Sequence, residues 1–219
     1  MKRLAIYDCD GTLADSQANI CTAMGLCFAE AGLPAPARQA VLAVVGLSLP
    51  EAMARLVADA DHDALAARYK HHFQTMRGDG RLEHEPLYEG IAKALAELSD
   101  AGWLLGIATG KSDRGLGLLL EAHGIAAHFV TLQTADRHPS KPHPSMIATA
   151  MVEAGASPET TVMIGDTLWD MEMARAADVR AIGVAWGYHS AAELFEGGAE
   201  LVLDDPSEIA PLLLGTATQ

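Results

Sequence analysis

Residues 4–16 read LAIYDCDGTLADS, and the fold is built outward from this stretch. Its first four residues, Leu4–Tyr7, are an apolar run that predicts a buried strand. Asp8 and Asp10 follow at the end of that strand, and side chains two residues apart on extended backbone point to the same side. Gly11 then allows a sharp turn. The pattern predicts two cooperating carboxylates, one able to attack and one able to transfer a proton, with a purely structural turn as the alternative.

The rest of the chain separates into a helical segment and an alternating segment. Residues 16–80 are rich in alanine with apolar residues at helical spacing, which predicts roughly four helices. From residue 82 onward short apolar runs alternate with helical stretches, which indicates a parallel sheet covered on both faces. Further strands are predicted at residues 103–108, 129–130, 162–164, 181–184 and 201–203. We therefore predict an α/β, doubly wound parallel-sheet core formed by residues 1–15 and 81–219, with an all-helical domain inserted at residues 16–80.

Four more polar residues lie where the predicted strands end. Thr109 and Asp166 each follow directly on a strand, Lys141 lies in a loop after another strand, and Asp170 comes about one helical turn beyond Asp166. Ligands of a doubly wound sheet bind beyond the carboxyl ends of its strands, so we expect these residues to meet Asp8 at one edge. Each also has a plainer interpretation: Thr109 or Asp170 as a helix cap, and Lys141 as an exposed surface charge.

The same residues are arranged like the four motifs of the haloacid dehalogenase superfamily of phosphotransferases. Residues 8–16 resemble motif one, and Thr109 resembles motif two. Lys141 within SKPHP resembles motif three, and Asp166 within VMIGD, followed by Asp170, resembles motif four. The order and spacing are similar to those of the subgroup with a helical cap inserted after motif one, as in phosphoglycolate phosphatases.

The resemblance implies a Rossmann-like core, a helical cap and a role for each motif residue. Asp8 is expected to be the nucleophile that forms an aspartyl-phosphate, and Asp10 the general acid and base. Thr109 and Lys141 are expected to assist catalysis. The residues expected to bind the phosphate are Gly11, Thr12, Thr109, Gly110 and Lys141. Those expected to bind Mg²⁺ are Asp8, Asp10, Asp166 and Asp170. Gly110 stands where many relatives have Asn, so we expect only its backbone N–H to serve the phosphate.

The activity that the resemblance implies is Mg²⁺-dependent hydrolysis of a small-molecule phosphate monoester, first of all a phosphoglycolate phosphatase-like activity. A sugar-phosphate or nucleotide phosphatase, or a phosphomutase of the same family, would use the same residues. The alternative of another class is a non-catalytic regulatory protein that accepts phosphate with Mg²⁺, but it would need neither Asp10 nor a cap. The four aspartates, Lys141 and one Mg²⁺ carry a charge of −1 in total, so a phosphate dianion is repelled unless Asp10 carries a proton.

Composition limits the partners and the location. The 219 residues carry a net charge of −14, which disfavours nucleic acids and anionic membranes as partners. No apolar run approaches the length of a membrane span, and removal of a signal peptide would remove the first strand. Three cysteines without a regular framework indicate a reducing compartment. We therefore expect a cytoplasmic monomer or weak homodimer that acts on a small phosphorylated metabolite, with no nucleic-acid or membrane partner.

Overall fold

The computed structural model describes residues 2–215, and a six-stranded parallel sheet forms its core. The strands are β1 (Leu4–Tyr7), β2 (Leu104–Thr109), β3 (Phe129–Thr134), β4 (Thr161–Gly165), β5 (Arg180–Val184) and β6 (Leu201–Leu203). Their order across the sheet is β3-β2-β1-β4-β5-β6, and every neighbouring pair is parallel. The predicted doubly wound α/β fold is confirmed, with β1 between β2 and β4.

Ten α-helices lie within the described residues. Four of them separate β1 from the rest of the sheet: α1 (Gln17–Glu30), α2 (Arg38–Leu42), α3 (Leu49–Leu56) and α4 (His62–Gly78). The others are α5 (Ile91–Asp100), α6 (Asp113–Ala122), α7 (Ser145–Ala154), α8 (Leu168–Ala176), α9 (Ala191–Gly197) and α10 (Ile209–Leu214). Within residues 2–215, none of these helices has the length and apolar character needed to span a bilayer.

The side chains of β1 alternate between the two faces of the sheet, as the period of a strand requires. Ala5 and Tyr7 pack in an apolar cluster with residues of α5, α6 and α10. Leu4 and Ile6 pack in a second cluster with residues of α7 and α8. All four side chains are fully buried. The strand is apolar along its whole length because helices cover both of its faces.

β3 extends well beyond the two residues predicted for it. Beyond those two residues it contains Thr131, Gln133 and Thr134, whose polar side chains interrupt the apolar run, yet each is buried. Thr131 Oγ1 and Gln133 Nε2 donate hydrogen bonds to Glu153 of α7, and Thr134 Oγ1 donates to Asp113 of α6 at 2.6 Å. Partners on neighbouring helices therefore satisfy the polar groups of this edge strand. The full length of β3 could not be predicted from the hydrophobic pattern alone.

The helices α1–α4 have an apolar cluster of their own. Its buried members include Ile20, Met24, Phe28, Met53 and Tyr69. The two chain connections that join this helical segment to the sheet run side by side. Ala14 and Leu87 form an antiparallel bridge, and the N–H of Asp15 donates to the carbonyl of Pro86 at 2.9 Å. The chain therefore leaves the sheet and returns to it at one place.

Candidate active site

The turn after β1 carries Asp8 and Asp10 to the carboxyl edge of the sheet. The N–H groups of Leu13 and Ala14 donate to the carbonyl of Cys9 at 2.9 and 3.0 Å, which folds the chain back directly after Asp10. The Cys9 side chain packs in the apolar cluster on the α5 side of the sheet. The two aspartates therefore share the opposite side, as their spacing predicts. Asp8 is fully buried, and Asp10 is 8% exposed.

Gly11 is required by the geometry of this turn. Its φ is +86°, a conformation that favours glycine. A Cβ atom at this position would lie 2.1 Å from Oδ2 of Asp166, so no other residue fits here without displacing that carboxylate. The backbone at Gly11 therefore lies so close to the Asp166 carboxylate that no side chain fits between them.

Lys141 lies in a buried cluster of opposite charges. Its Nζ is 2.9 Å from Oδ1 of Asp8 and 2.6 Å from Oδ1 of Asp170, and its side chain is fully buried. Burial opposes the charged form of the ammonium, but the carboxylates of Asp170 and Asp8 outweigh it and hold the pKa of Lys141 above its ordinary value. Lys141 is therefore a fixed cation in contact with Asp8, and not an exposed surface charge.

Three buried carboxylates form a group that could hold a metal ion. Oxygen atoms of Asp8, Asp166 and Asp170 all lie within 4.8 Å of one another. Burial raises the pKa of Asp8 to about 7, although Lys141 partly offsets it. Burial, with Asp8 and Asp170 as neighbours, also raises the pKa of Asp166 well above its ordinary value. Oδ2 of Asp8 accepts no hydrogen bond from the described residues. Oxygen ligands with this surplus of negative charge fit a divalent cation.

Asp166 is held from two sides. Thr12 Oγ1 donates to its Oδ1 at 2.8 Å, and the N–H of Tyr188 donates to its Oδ2 at 2.9 Å. The structure thus gives the Thr12 hydroxyl a different partner from the phosphate that the sequence predicts. The N–H groups of Gly11 and Thr12 donate to carbonyls within the same turn. Tyr188 follows β5 and was not identified from the sequence, although it lies at the same edge of the sheet as the other site residues.

Asp170 connects the start of α8 to Lys141. Its Oδ2 accepts hydrogen bonds from the backbone N–H and the hydroxyl of Thr167 at 3.1 and 2.6 Å, which completes a capping box. Its Oδ1 accepts a hydrogen bond from Lys141 Nζ. Asp170 therefore belongs to the capping box that the sequence allowed as an alternative, with Thr167 as the cap, and it also fixes the position of Lys141.

β2 ends at Thr109, and Gly110 follows it opposite the loop between α2 and α3. Thr109 is buried, and its Oγ1 accepts a hydrogen bond from the N–H of Lys111 at 3.2 Å, which leaves the hydroxyl proton free to be donated. A Cβ atom at Gly110 would lie 2.7 Å from the carbonyl oxygens of both Gly46 and Leu47. An Asn side chain does not fit against this loop, which explains the glycine at this position.

Lys111 is a site residue that the sequence analysis missed. Its Nζ lies 2.8 Å from Oδ1 of Asp10, and the two side chains are 11% and 12% exposed. Burial opposes its charge, but the Asp10 carboxylate outweighs burial and raises the pKa of Lys111 above its ordinary value. The ion pair supplies the positive charge that the sequence-based count lacked. The sequence feature that could have identified Lys111 is its position two residues after Thr109, where β2 ends.

Known proteins resemble this chain along its whole length. Residues 5–184 match the family model described as haloacid dehalogenase-like hydrolase. The chain is 35% identical over 213 residues to the probable phosphatase IndB of Dickeya dadantii. These residues span 95% of this chain and 92% of that protein. It is 31% identical to the phosphoglycolate phosphatase of Agrobacterium fabrum, over 96% of this chain and 91% of that one. The solved structure of a predicted phosphatase from Clostridium acetobutylicum has a TM-score of 0.86 at 24% identity, covering 98% of this chain and 99% of that one.

Proposed function

The chain belongs to the haloacid dehalogenase-like hydrolases, and we propose that it is a phosphatase that hydrolyses a small phosphate monoester through a phosphorylated Asp8. One observation carries this proposal: Asp8 is fully buried at the end of β1, with Lys141 Nζ 2.9 Å from its Oδ1 and no described donor on its Oδ2. Relatives named phosphatase and phosphoglycolate phosphatase support the same class of reaction.

The reaction proceeds in two displacements. Asp8 attacks phosphorus, and the bond to the ester oxygen breaks as the leaving alkoxide takes a proton from Asp10. Water then attacks phosphorus, the bond from phosphorus to the Asp8 oxygen breaks, and Asp10 accepts the proton of the water. Inorganic phosphate leaves, and the Asp8 carboxylate is restored. Asp10 pairs with Lys111 in this structure. Phosphoryl oxygens of the substrate take over the contact with Lys111. Asp10, no longer paired, takes up a proton from water and then donates it to the leaving alkoxide.

The proposed ligands of Mg²⁺ are the carboxylates of Asp8 and Asp166 and the backbone carbonyl of Asp10. When bound, the ion supplies positive charge to the phosphoryl oxygens in the transition state. Oδ1 of Asp170 contacts the Lys141 ammonium, and its Oδ2 accepts two hydrogen bonds from Thr167. Each oxygen of Asp166, in contrast, accepts one hydrogen bond from a neutral donor. In this proposal Asp170 therefore acts on the site by positioning Lys141, instead of as a ligand.

The phosphate is bound by the Thr109 hydroxyl, the Gly110 N–H and the Lys141 ammonium. Thr109 supports this role because its oxygen already accepts a hydrogen bond from Lys111 N, which directs its proton elsewhere. Gly11 and Thr12, grouped with these residues from the sequence, shape the turn and hold Asp166.

Residues 16–80 act as a cap that closes over the substrate and excludes water. The loop between α2 and α3 supports this role, because the N–H of Ser48 donates to the hydroxyl of Ser140 at 2.8 Å, one residue before Lys141. The limits of the helices support these boundaries, since α1 begins at Gln17 and α4 ends at Gly78.

Phosphate release from a panel of small phosphate esters, with Mg²⁺ and with EDTA, tests the proposal. We expect release that requires Mg²⁺ and is lost in Asp8→Asn, because the amide keeps the shape of the side chain but cannot attack phosphorus. Asp100→Asn, at an exposed aspartate of α5, is the matched control and should keep full activity. Mg²⁺ binding without release from any ester would contradict the proposal and favour the regulatory alternative. Full activity of Asp8→Asn would exclude Asp8 as the nucleophile.

A further inference from the structure

A cavity lies between helices α1–α4 and the sheet, and it opens onto the reaction site. Its volume is about 380 Å³, within the range of roughly 300–1,000 Å³ found for pockets that bind small organic molecules. Asp10, Gly110 and Lys111 line it on the side of the sheet. The cavity therefore begins where the leaving alcohol of a phosphate ester would be released. It is far larger than an alcohol of two carbon atoms requires.

The side of the cavity formed by the cap is apolar. We call six of its buried lining residues the apolar wall: Ile20, Met24, Val41, Val45, Leu47 and Tyr69. Each of them is 8% exposed or less. Phe73, partly buried, continues this wall, and its ring centroid lies 5.9 Å from that of Tyr69. The wall therefore offers apolar and aromatic surface to the alcohol.

The charged residues of the cap that line the cavity lie toward solvent. Lys70 has a side chain that is 51% exposed and pairs with Asp136 at 3.8 Å. The guanidinium of Arg77 lies over the ring of Phe73, 5.6 Å from its centroid. Neither charge belongs to the buried apolar wall. Lys111, a largely buried cation of the lining, lies on the side of the sheet and pairs with Asp10. An anionic group on the alcohol, placed beside the apolar wall, would therefore lose its hydration without gaining a buried partner there.

We propose that this cavity binds the alcohol portion of the substrate, and that the preferred substrate is a phosphate monoester of an alcohol that carries an apolar ring. The inference rests on the proposed function, because the cavity selects substrates only if Asp8 and Asp10 hydrolyse esters. Burial of a ring against the apolar wall removes apolar surface from water and lets the ring pack on Tyr69 and Phe73. A short acid such as phosphoglycolate would fill little of the space and would bring its carboxylate to the wall.

Three esters test this preference: ethyl phosphate, 2-phenylethyl phosphate and 2-phosphoglycolate. Ethanol and 2-phenylethanol are leaving groups of similar acidity, so a difference between their esters reflects binding of the ring. We expect kcat/KM for 2-phenylethyl phosphate to exceed the values for the other two by about tenfold or more, because one buried methylene is already worth about that factor. Equal or higher kcat/KM for 2-phosphoglycolate or ethyl phosphate would overturn the inference and leave the proposed function intact. No release from these three, with release from another ester of the panel, would overturn the inference alone. No release from the whole panel would overturn the proposed function, and the inference with it.

Variants of the apolar surface locate the preference in this cavity. Ala52 is 4% exposed and lines the cavity, so Ala52→Phe should fill it and lower the kcat/KM ratio of 2-phenylethyl to ethyl phosphate about tenfold. If that variant fails to fold, Phe73→Leu, at a half-buried position, should lower the same ratio severalfold. Phe195→Leu, on an exposed side chain of α9, is the matched control and should leave the ratio unchanged. A ratio that stays at the wild-type value in Phe73→Leu and in any folded Ala52→Phe would overturn the inference.

Discussion

Asp8 is a fully buried carboxylate, and burial disfavours its charged form. Burial raises its pKa to about 7, and Lys141, 2.9 Å away, is the contact that favours the anion. The neighbouring aspartates add to the unfavourable energy of this charge in the folded state. Residues at functional sites often reduce stability in this way, because the arrangement that makes a group reactive differs from the one that makes the fold most stable.

The stability of the metal-free protein should therefore fall as the pH rises. Between about pH 4 and the raised pKa of about 7, Asp8 keeps a proton in the folded state that it has lost in the unfolded state. The free energy of unfolding therefore decreases as the pH rises through this range. Asp166, whose pKa is also raised, acts in the same direction. We expect Tm in EDTA to decrease from about pH 5 to about pH 8, and Mg²⁺ to raise Tm more at the higher pH, since it binds deprotonated carboxylates. Thermal unfolding followed by circular dichroism measures both effects.

The variant Asp8→Asn is neutral throughout this range and should show a shallower fall of Tm in EDTA, whereas Asp100→Asn should keep the wild-type slope. Surface carboxylates with a lowered pKa, such as Asp113, contribute with the opposite sign, but only at more acidic pH. A Tm that increases from about pH 5 to about pH 8 in EDTA would contradict the role given to Asp8.

Replacement of Lys111 should weaken catalysis more than folding. Lys111→Met leaves the site with one more uncompensated negative charge toward a phosphate dianion, and we expect kcat/KM to fall about 10²–10³-fold, the usual effect of removing one electrostatic contact to a transition state. Lys141→Met should also destabilise the fold, because Asp8 and Asp170 would lose their buried partner. Steady-state kinetics and thermal unfolding separate the two effects. Lys93→Met, at a lysine of α5 with a 73% exposed side chain, is the control, and wild-type kcat/KM in Lys111→Met would refute the prediction.

Among the elements, the loop between α2 and α3 brings the cap closest to the chemistry. Its Gly46 lies beside the hydroxyl of Thr167 at the start of α8, and its carbonyls face Gly110 at the end of β2. Its Ser48 N–H donates to Ser140 in the segment that follows β3. One short loop therefore contacts three of the segments that carry site residues, so its position depends on theirs.

A side chain at Gly110 should push this loop away from the sheet. A Cβ atom there would stand 2.7 Å from the carbonyl oxygens of Gly46 and Leu47, so the backbone of the loop has to move. We expect Gly110→Asn to lower kcat/KM by up to about 10²-fold, since displacements of about 1 Å near a reacting group have effects of this size. Faster proteolytic cleavage in the loop would accompany the loss, and limited proteolysis followed by mass spectrometry measures it.

Gly117 of α6 offers a matched control for this experiment. It is exposed, and a Cβ atom there would meet nothing within 4 Å. Gly117→Ala should leave activity unchanged and raise the free energy of unfolding by about 0.5–1 kcal/mol, because alanine favours a helix interior over glycine. Normal activity and normal proteolysis of Gly110→Asn would show that the loop does not constrain the site.

For the molecule as a whole, local patterns in the sequence predicted structure correctly, whereas contacts between residues far apart in the sequence could not be predicted. The parallel sheet was predictable because its strands are buried on both faces, and residues at strand ends were predictable because those ends share one edge. The pairing of Lys111 with Asp10 and of Tyr188 N–H with Asp166 was not, because it depends on residues distant in sequence. The apolar wall was not predictable either. Four of its six residues lie at ordinary core positions of helices, and only the packing of α1–α4 brings them together with Val45 and Leu47 of the loop between α2 and α3.

The overall charge of the molecule should be visible in its salt dependence. The net charge of −14 repels a phosphate dianion from a distance, whereas Lys70, Arg77 and Arg114 line the cavity. Because the screening length is about 10 Å at 0.1 M salt, added salt weakens the distant repulsion more than the nearby attraction. We expect kcat/KM to rise between about 10 mM and about 100 mM salt at saturating Mg²⁺, with lower values throughout in the double variant Arg77→Gln, Arg114→Gln. A decrease of kcat/KM with salt in the wild type would mean that the nearby cations dominate.

The side-by-side connections at Ala14 and Leu87 have a consequence for the history of such proteins. The chain returns to the sheet beside the point where it left the sheet. The length and composition of the intervening segment therefore do not affect the register of any strand. A helical segment of another size, or with another lining, could replace this one while β1 and Asp8 stay in place. Substrate preference and bond-breaking chemistry can therefore evolve separately in one continuous chain.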